Sequence, residues 1–182
     1  MTIDIVVGDV LEVPADILIS TANPWLNMSG GVNGAILAKG GDSIQAELHA
    51  HVTSTGSKSV QPGTVVRTSP GPLPFRHILH AVAIDPFYDS DVPLVRRTLQ
   101  SAFRIAQGLG AQSLSMPMLA TGYGHLTTEQ FAEAFAFAVQ EDWSPLRQVH
   151  VVFRSEEDAA IVRSALASTG ASHAEDLGQP HV

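Results

Sequence analysis

The sequence predicts a layered α/β domain, and three observations carry that expectation. Short β-branched runs alternate with longer segments of helical period along most of the chain. Glycine and proline clusters stand at the junctions, as at Gly40-Gly41 and among Pro70, Pro72 and Pro74. Apolar residues make up 45 % of the 182 residues and charged residues 15 %, against about 25 % charged in an average soluble protein, which leaves ample material for a core. A chain of this length suits one domain.

Thr2–Val7 reads as the first strand and Asp16–Ser20 as the second, followed by a loop containing Asn23-Pro24 and Ser29-Gly30-Gly31. A helix is expected over Val32–Lys39, stopped by Gly40-Gly41, and another over Asp42–Val52. Gly63–Thr68 and Arg76–Val82 read as strands, separated by prolines that continue neither a ladder nor a helix. Pro93–Leu109 sets Leu94, Leu99, Phe103 and Ala106 near helical spacing, and Ser113–Met116 is a strand leading into the loop Pro117–Leu126. Thr127 with Gln130 forms a capping box for a helix through Phe131–Val139. Val149–Phe153 is the last strand, and Ser155 with Asp158 opens a helix to about Leu166, its acids Glu156, Glu157 and Asp158 favouring the helix dipole. From Ser168 the composition turns to Ser, Gly, His, Asp and Pro, which predicts a domain over 1–167 and a flexible tail over 168–182.

Several function classes are disfavoured by composition. Ten Lys and Arg against eighteen Asp and Glu give a net charge of −8, so binding to a DNA duplex, which rests on neutralising phosphates, is not expected. The absence of cysteine removes disulfides, thiolate metal sites and cysteine nucleophiles. Met1–Val10 lacks the cationic segment of a secretory leader, and no stretch approaches the roughly 18 consecutive apolar residues that span a bilayer. A cytoplasmic protein without membrane partners is expected. His49 and His51 diverge on a helix, His77 and His80 fall on opposite faces of a strand, and no His-Glu-x-x-His occurs, so neither a metal nor another cofactor is expected. His80 reads as a hydrogen-bonded residue at a strand end. No Gly-x-Ser-x-Gly elbow activates a serine.

Two glycine-bearing loops, Asn23–Gly34 and Ala120–His125, each follow a predicted strand and precede a predicted helix, where unpaired N–H groups collect and favour anions. Glycines also serve turns and helix caps, and that role alone accounts for any single Gly-Gly pair. As a phosphate cradle, Gly30-Gly31-Val32 would admit an anion close to the backbone and Gly122-Tyr123-Gly124 would supply the opposite wall. Each charge-assisted N–H bond is worth roughly 1.5–3 kcal/mol, so a few of them hold a pyrophosphate without Lys or Arg. Neither loop is a P-loop or a dinucleotide fingerprint. His125 is either a ligand contact or proton carrier, or a solvated loop histidine.

Taken in order, Gly8-Asp9, Ala15-Asp16, Ser20-Thr21-Ala22-Asn23, Leu26, Ser29-Gly30-Gly31-Val32-Asn33-Gly34-Ala35-Ile36-Leu37, Gly40-Gly41, His80-Ala81-Val82 and Pro117-Met118-Leu119-Ala120-Thr121-Gly122-Tyr123-Gly124 resemble the motif series of the macro domain, an ADP-ribose-binding module. The resemblance covers about residues 1–167. It implies a three-layer α/β/α architecture with a mixed sheet of about six strands flanked by helices, and ADP-ribose or an ADP-ribosylated protein as partner. Asp9 resembles the acid that accepts from the adenine amino group, with the Val10 N–H beside the ring. Phe153 matches the aromatic that stacks on adenine, a contact worth roughly 1–3 kcal/mol. Gly30, Gly31 and Val32 would face one phosphate, while Ala120, Thr121, Gly122, Tyr123 and Gly124 would cradle the pyrophosphate and cover the distal ribose. Asn23 would hold that ribose from the other side, and Asn23 and Asn33 would position ribose and water for any hydrolysis of ADP-ribosyl-protein or O-acetyl-ADP-ribose linkages. The chain departs from the hydrolytic pattern at Asn33, usually Asp, at Leu37, usually His, and at Ser20, usually Asn. An amide cannot take up a proton at neutral pH, which leaves a non-catalytic reader of ADP-ribosylated partners, or a sensor of a nucleotide metabolite, as the alternative.

Overall fold

The structure is a computed structural model and describes residues 1–169. Six strands, β1 (Thr2–Val7), β2 (Ile17–Thr21), β3 (Val65–Thr68), β4 (His77–Ala81), β5 (Ser113–Pro117) and β6 (Gln148–Phe153), form one sheet in the order β1-β6-β5-β2-β4-β3. Every neighbouring pair is parallel except β3 and β4, which makes the sheet mixed. The helices are α1 (Gly31–Gly40), α2 (Asp42–Ser54), α3 (Val92–Gly108), α4 (Thr128–Ala138) and α5 (Glu156–Ser168). Element boundaries shift by one or two residues from the sequence-based expectation, and a 3-10 turn at Val10–Glu12 is added. Ser168, the expected start of the tail, is the last residue of α5 and is followed by the Thr169 cap; residues 170–182 lie outside the described residues.

Strand alternation creates the layers. Ile3, Ile5, Ile17, Ile19, Leu114, Met116, Val149 and Val151 point to one face and pack on Leu99, Phe103, Phe131, Phe135 and Val162 of α3, α4 and α5. Leu18, Val66, Ile78 and Val152 point the other way and pack on Ile36, Ile44 and Leu48 of α1 and α2. Burying each such side chain contributes roughly 1.5–3 kcal/mol, so the two clusters fix which helix covers which face. Side chains cap the helices of the larger layer: Thr127 and Gln130 close the expected capping box, Ser155 accepts from Asp158 N–H, and Asp91, not marked in the sequence, accepts from Leu94 N–H at the start of α3.

One polar residue sits deep under α2. His80 is fully buried, with Nε2 3.0 Å from Thr68 Oγ1. Thr68 spends its only hydroxyl proton on the Ser69 carbonyl, so His80 Nε2 carries the hydrogen and Nδ1 is a bare, unpartnered nitrogen. Burial pushes the His80 pKa down to about 4. An unfolded histidine titrates near about 6.5, so between these values the unfolded chain binds the extra proton; His80's contribution is complete above the unfolded value and is lost as pH falls through the window. The loss should reach roughly 3 kcal/mol by pH 4. Urea unfolding at pH 7 and pH 5 should show a smaller acid loss of stability in His80→Gln than in the parent chain, and equal losses in both would contradict this assignment.

Candidate ligand-binding cleft

From β2 the chain crosses to α1 on one face of the sheet, and from the adjacent β5 it reaches α4 on the other. Loops that diverge from neighbouring parallel strands leave a crevice at the carboxyl ends of those strands. A cleft of about 640 Å³ lies there, lined from the ends of β2, β4, β5 and β6 and from the loops that follow them. Gly30, Gly31 and Val32 line one wall, and Ala120, Thr121, Gly122, Tyr123 and Gly124 line the other. The structure thus brings together both glycine loops singled out in the sequence.

The backbone of each wall is shaped for donation. Gly30 caps α1 at φ 68° with no side-chain cap, and Gly31 follows at φ 52°, a region open to glycine. The first bond of α1 is Gly34 N–H to Gly30 O, so the N–H groups of residues 31–33 end unpaired at the cleft. Across it the chain turns tightly enough that a Cβ on Gly124 would lie 2.3 Å from the Ala120 carbonyl oxygen, and Ala120 itself holds φ 64°. Among the described residues, no protein acceptor meets the N–H groups of residues 121–125. The Tyr123 hydroxyl reaches over to Gly30, 2.6 Å from where a Cβ would stand, so the two walls touch at their rim.

At one end of the cleft are Val10, Phe153 and Arg154. Phe153 is only 1 % exposed and belongs to the core shared with α3–α5, so it contributes to the floor, whereas the Arg154 side chain is 70 % exposed. Asp9 is not itself part of the lining: its Oδ1 accepts from the Leu11 N–H at 3.0 Å and lies 4.0 Å from an Arg154 nitrogen. Asp158, beside Arg154, accepts from the hydroxyls of Thr128 and Ser155, which hold its carboxyl below the usual range and join the starts of α4 and α5. Arg154 is the one cation among the lining residues and was not singled out in the sequence; its position directly after Phe153 is the only signal that pointed to it.

At the opposite end are Asn23, Asn33 and Tyr88. Both asparagines are engaged within the fold. Asn23 Oδ1 accepts from the N–H groups of Trp25 and Asn27, and its Nδ2 donates to the Asn27 carbonyl, which makes Asn23 the organiser of its own loop. Asn33 is buried: its Oδ1 accepts from the Ser20 hydroxyl at 2.5 Å and its Nδ2 donates to the Thr21 carbonyl at 2.5 Å. It fastens the first turn of α1 to the end of β2. A carboxylate at 33 would have no proton for Thr21, whereas the Asn33 amide meets both Ser20 and Thr21. His125 does not line the cleft; its Nδ1 lies 3.2 Å from Asp89 on the rim. Among the described residues no group of three or more His, Cys, Asp or Glu is arranged to hold a metal ion, and no helix is long and apolar enough to cross a membrane.

This combination defines an α/β/α fold with a crevice walled by main-chain amides at the carboxyl ends of its strands. The family model for the macro domain matches residues 19–135. An O-acetyl-ADP-ribose deacetylase of Klebsiella pneumoniae is 31 % identical over 172 residues, covering 91 % of this chain and 96 % of the relative. An uncharacterized protein of Pyrobaculum aerophilum is 34 % identical over 157 residues, covering 82 % of each. Among solved structures, a variant of the Oceanobacillus iheyensis macrodomain with ADPR superposes with a TM-score of 0.78 at 26 % identity, covering 92 % of this chain and 93 % of that one. The chain belongs to the macro domain family.

Replacing the Asn33 amide by a carboxylate turns the Thr21 contact from attraction into oxygen facing oxygen. Asn33→Asp should destabilise the fold by about 1–3 kcal/mol near neutral pH, with the deficit shrinking as the carboxyl protonates. Urea midpoints at pH 7 and pH 5 check this, and a variant as stable as the parent at pH 7 would refute the clamp.

Proposed function

We propose that the chain binds ADP-ribose, free or attached to a protein, in this cleft. One observation carries the reading: unpaired N–H groups at the start of α1 face those of the Thr121–His125 turn across a gap lined by a single cation. A pyrophosphate is the anion that two opposed rows of amides suit, and a few bonds of roughly 1.5–3 kcal/mol each suffice to hold it. The related macrodomain with ADPR supports the choice of ligand. In this reading adenine lies toward Val10, Phe153 and Arg154, with Asp9 Oδ2 left to accept from its amino group. The distal ribose lies between Asn23 and Tyr123.

Recognition without turnover is the form the side chains favour. The ionisable lining residues are Tyr88, Tyr123, Arg154 and Asp158, and the last two stand at the adenine end. Asn23 and Asn33 hold loop and helix through their amides, and among the lining residues the one carboxylate, Asp158, stands at the adenine end. A second reading, release of the ADP-ribosyl group, is supported by the name of the Klebsiella relative. In that case the substrate's own phosphate draws the proton of the attacking water.

Calorimetric titration with ADP-ribose tests the binding, and incubation with O-acetyl-ADP-ribose and with proteins modified on Asp/Glu, Arg or Ser separates reader from hydrolase. Gly31→Glu and Gly122→Glu each direct a carboxylate at the amide rows, where an added Cβ meets no protein atom within 4 Å. Each should weaken ADP-ribose binding at least about tenfold, or ~1.4 kcal/mol. Gly122 lacks a positive φ, so its variant carries no backbone strain. Unchanged affinity in both folded variants would end the proposal.

A further inference from the structure

The one Arg lining the cleft, Arg154, stands with Asp158 at the adenine end, and the loops around the opposite end, residues 22–30, 83–91 and 118–127, contain no Lys or Arg and a single histidine, His125. The second of these loops, which lines the cleft through Tyr88, carries Asp85, Asp89 and Asp91 just outside that lining. In each of these the fold engages Oδ1 alone: Asp85 accepts from the N–H groups of Phe87 and Asp89, Asp91 caps α3, and Asp89 faces His125. Among the described residues no contact engages the second oxygen of any of the three.

Aromatic faces adjoin these carboxylates. Trp25, Tyr88 and Tyr123 form a chain of rings with centroids 6.3 and 6.4 Å apart, linking all three loops. Tyr123 is 70 % exposed, and Phe87, next to Tyr88, is 79 % exposed, more than any other large apolar side chain among the described residues. Open π-faces beside carboxylates of which one faces His125 and none meets a Lys or Arg form a surface that attracts guanidinium and ammonium groups and repels phosphates. Tyr88 and Tyr123 also line the cleft, so this surface continues from the place where the distal ribose ends.

We infer that this rim is an acceptor subsite selecting ADP-ribosyl groups carried on a basic polypeptide segment, whose Lys and Arg side chains lie over the aromatic chain and pair with Asp89 and its neighbours. The inference rests on ADP-ribose occupying the cleft as proposed above. Specificity then resides outside the amide rows: these hold the common ADP-ribose, while the rim distinguishes what it is attached to.

Two peptides carrying ADP-ribose through the same non-hydrolysable serine linkage, one flanked by Lys and Arg and the other by Asp and Glu, test this by calorimetry beside free ADP-ribose and an ADP-ribosylated oligonucleotide. The basic peptide should bind at least about tenfold tighter than the acidic one, with the preference shrinking as salt is raised. Asp89→Lys should reduce the preference at least about threefold, beyond any uniform gain that its charge gives to free ADP-ribose and to both peptides alike. Equal binding of the two peptides, a preference untouched by Asp89→Lys, or tighter binding of the oligonucleotide overturns the inference while ADP-ribose still binds. Failure of ADP-ribose itself to bind removes the cleft assignment, and the subsite with it.

Discussion

Because β2 and β5 are neighbours in the sheet and yet deliver the chain to helices on opposite faces, the space beyond their carboxyl ends is covered by neither connection. A loop that filled it would bury main-chain groups without partners, which is costly. The gap is therefore walled by two turns whose unpaired amides end at solvent, and every feature of the site depends on that divergence. It gives an acidic chain donors that an anion could meet: they are peptide dipoles, which are present whatever the side-chain charge.

The polar side chains around the gap serve its geometry. Asn23 shapes the first loop, Asn33 with Ser20 fixes the start of α1, and Asp158 ties the start of α4 to that of α5. Three non-glycine residues with positive φ, Leu26, Tyr88 and Ala120, occur one in each of the three loops around the distal end. Left-handed backbone costs roughly 1–2 kcal/mol per residue, so these bends persist because the packing around them over-determines them. Rigidity obtained in this way suits a site that binds with little reorganisation.

Much of this was legible in the sequence for definite reasons. Strand alternation and helical period come from the residues themselves, and the capping box at Thr127 and the N-cap at Ser155 are local chemistry, so the elements and the two glycine loops follow from neighbours a few positions apart. What was hidden depends on residues distant in the chain. The pairing of Asn33 with Ser20 spans 13 positions, and the contact of His80 with Thr68 crosses an antiparallel strand pair. Asp9 looks like a free acceptor until the 3-10 turn draws one of its oxygens to Leu11. Phe153 reads as a strand-end aromatic, but only the sheet register shows that its side chain falls on the crowded face and leaves Arg154 as the exposed one.

The reach of Tyr123 across to Gly30 bears on kinetics. A ligand threading between the walls must swing that phenol aside on entering, and must swing it aside again on leaving. Both passages cross the same local obstacle. Trimming the ring would therefore quicken capture and escape together, and would also take away the wall against which the distal ribose is proposed to lie.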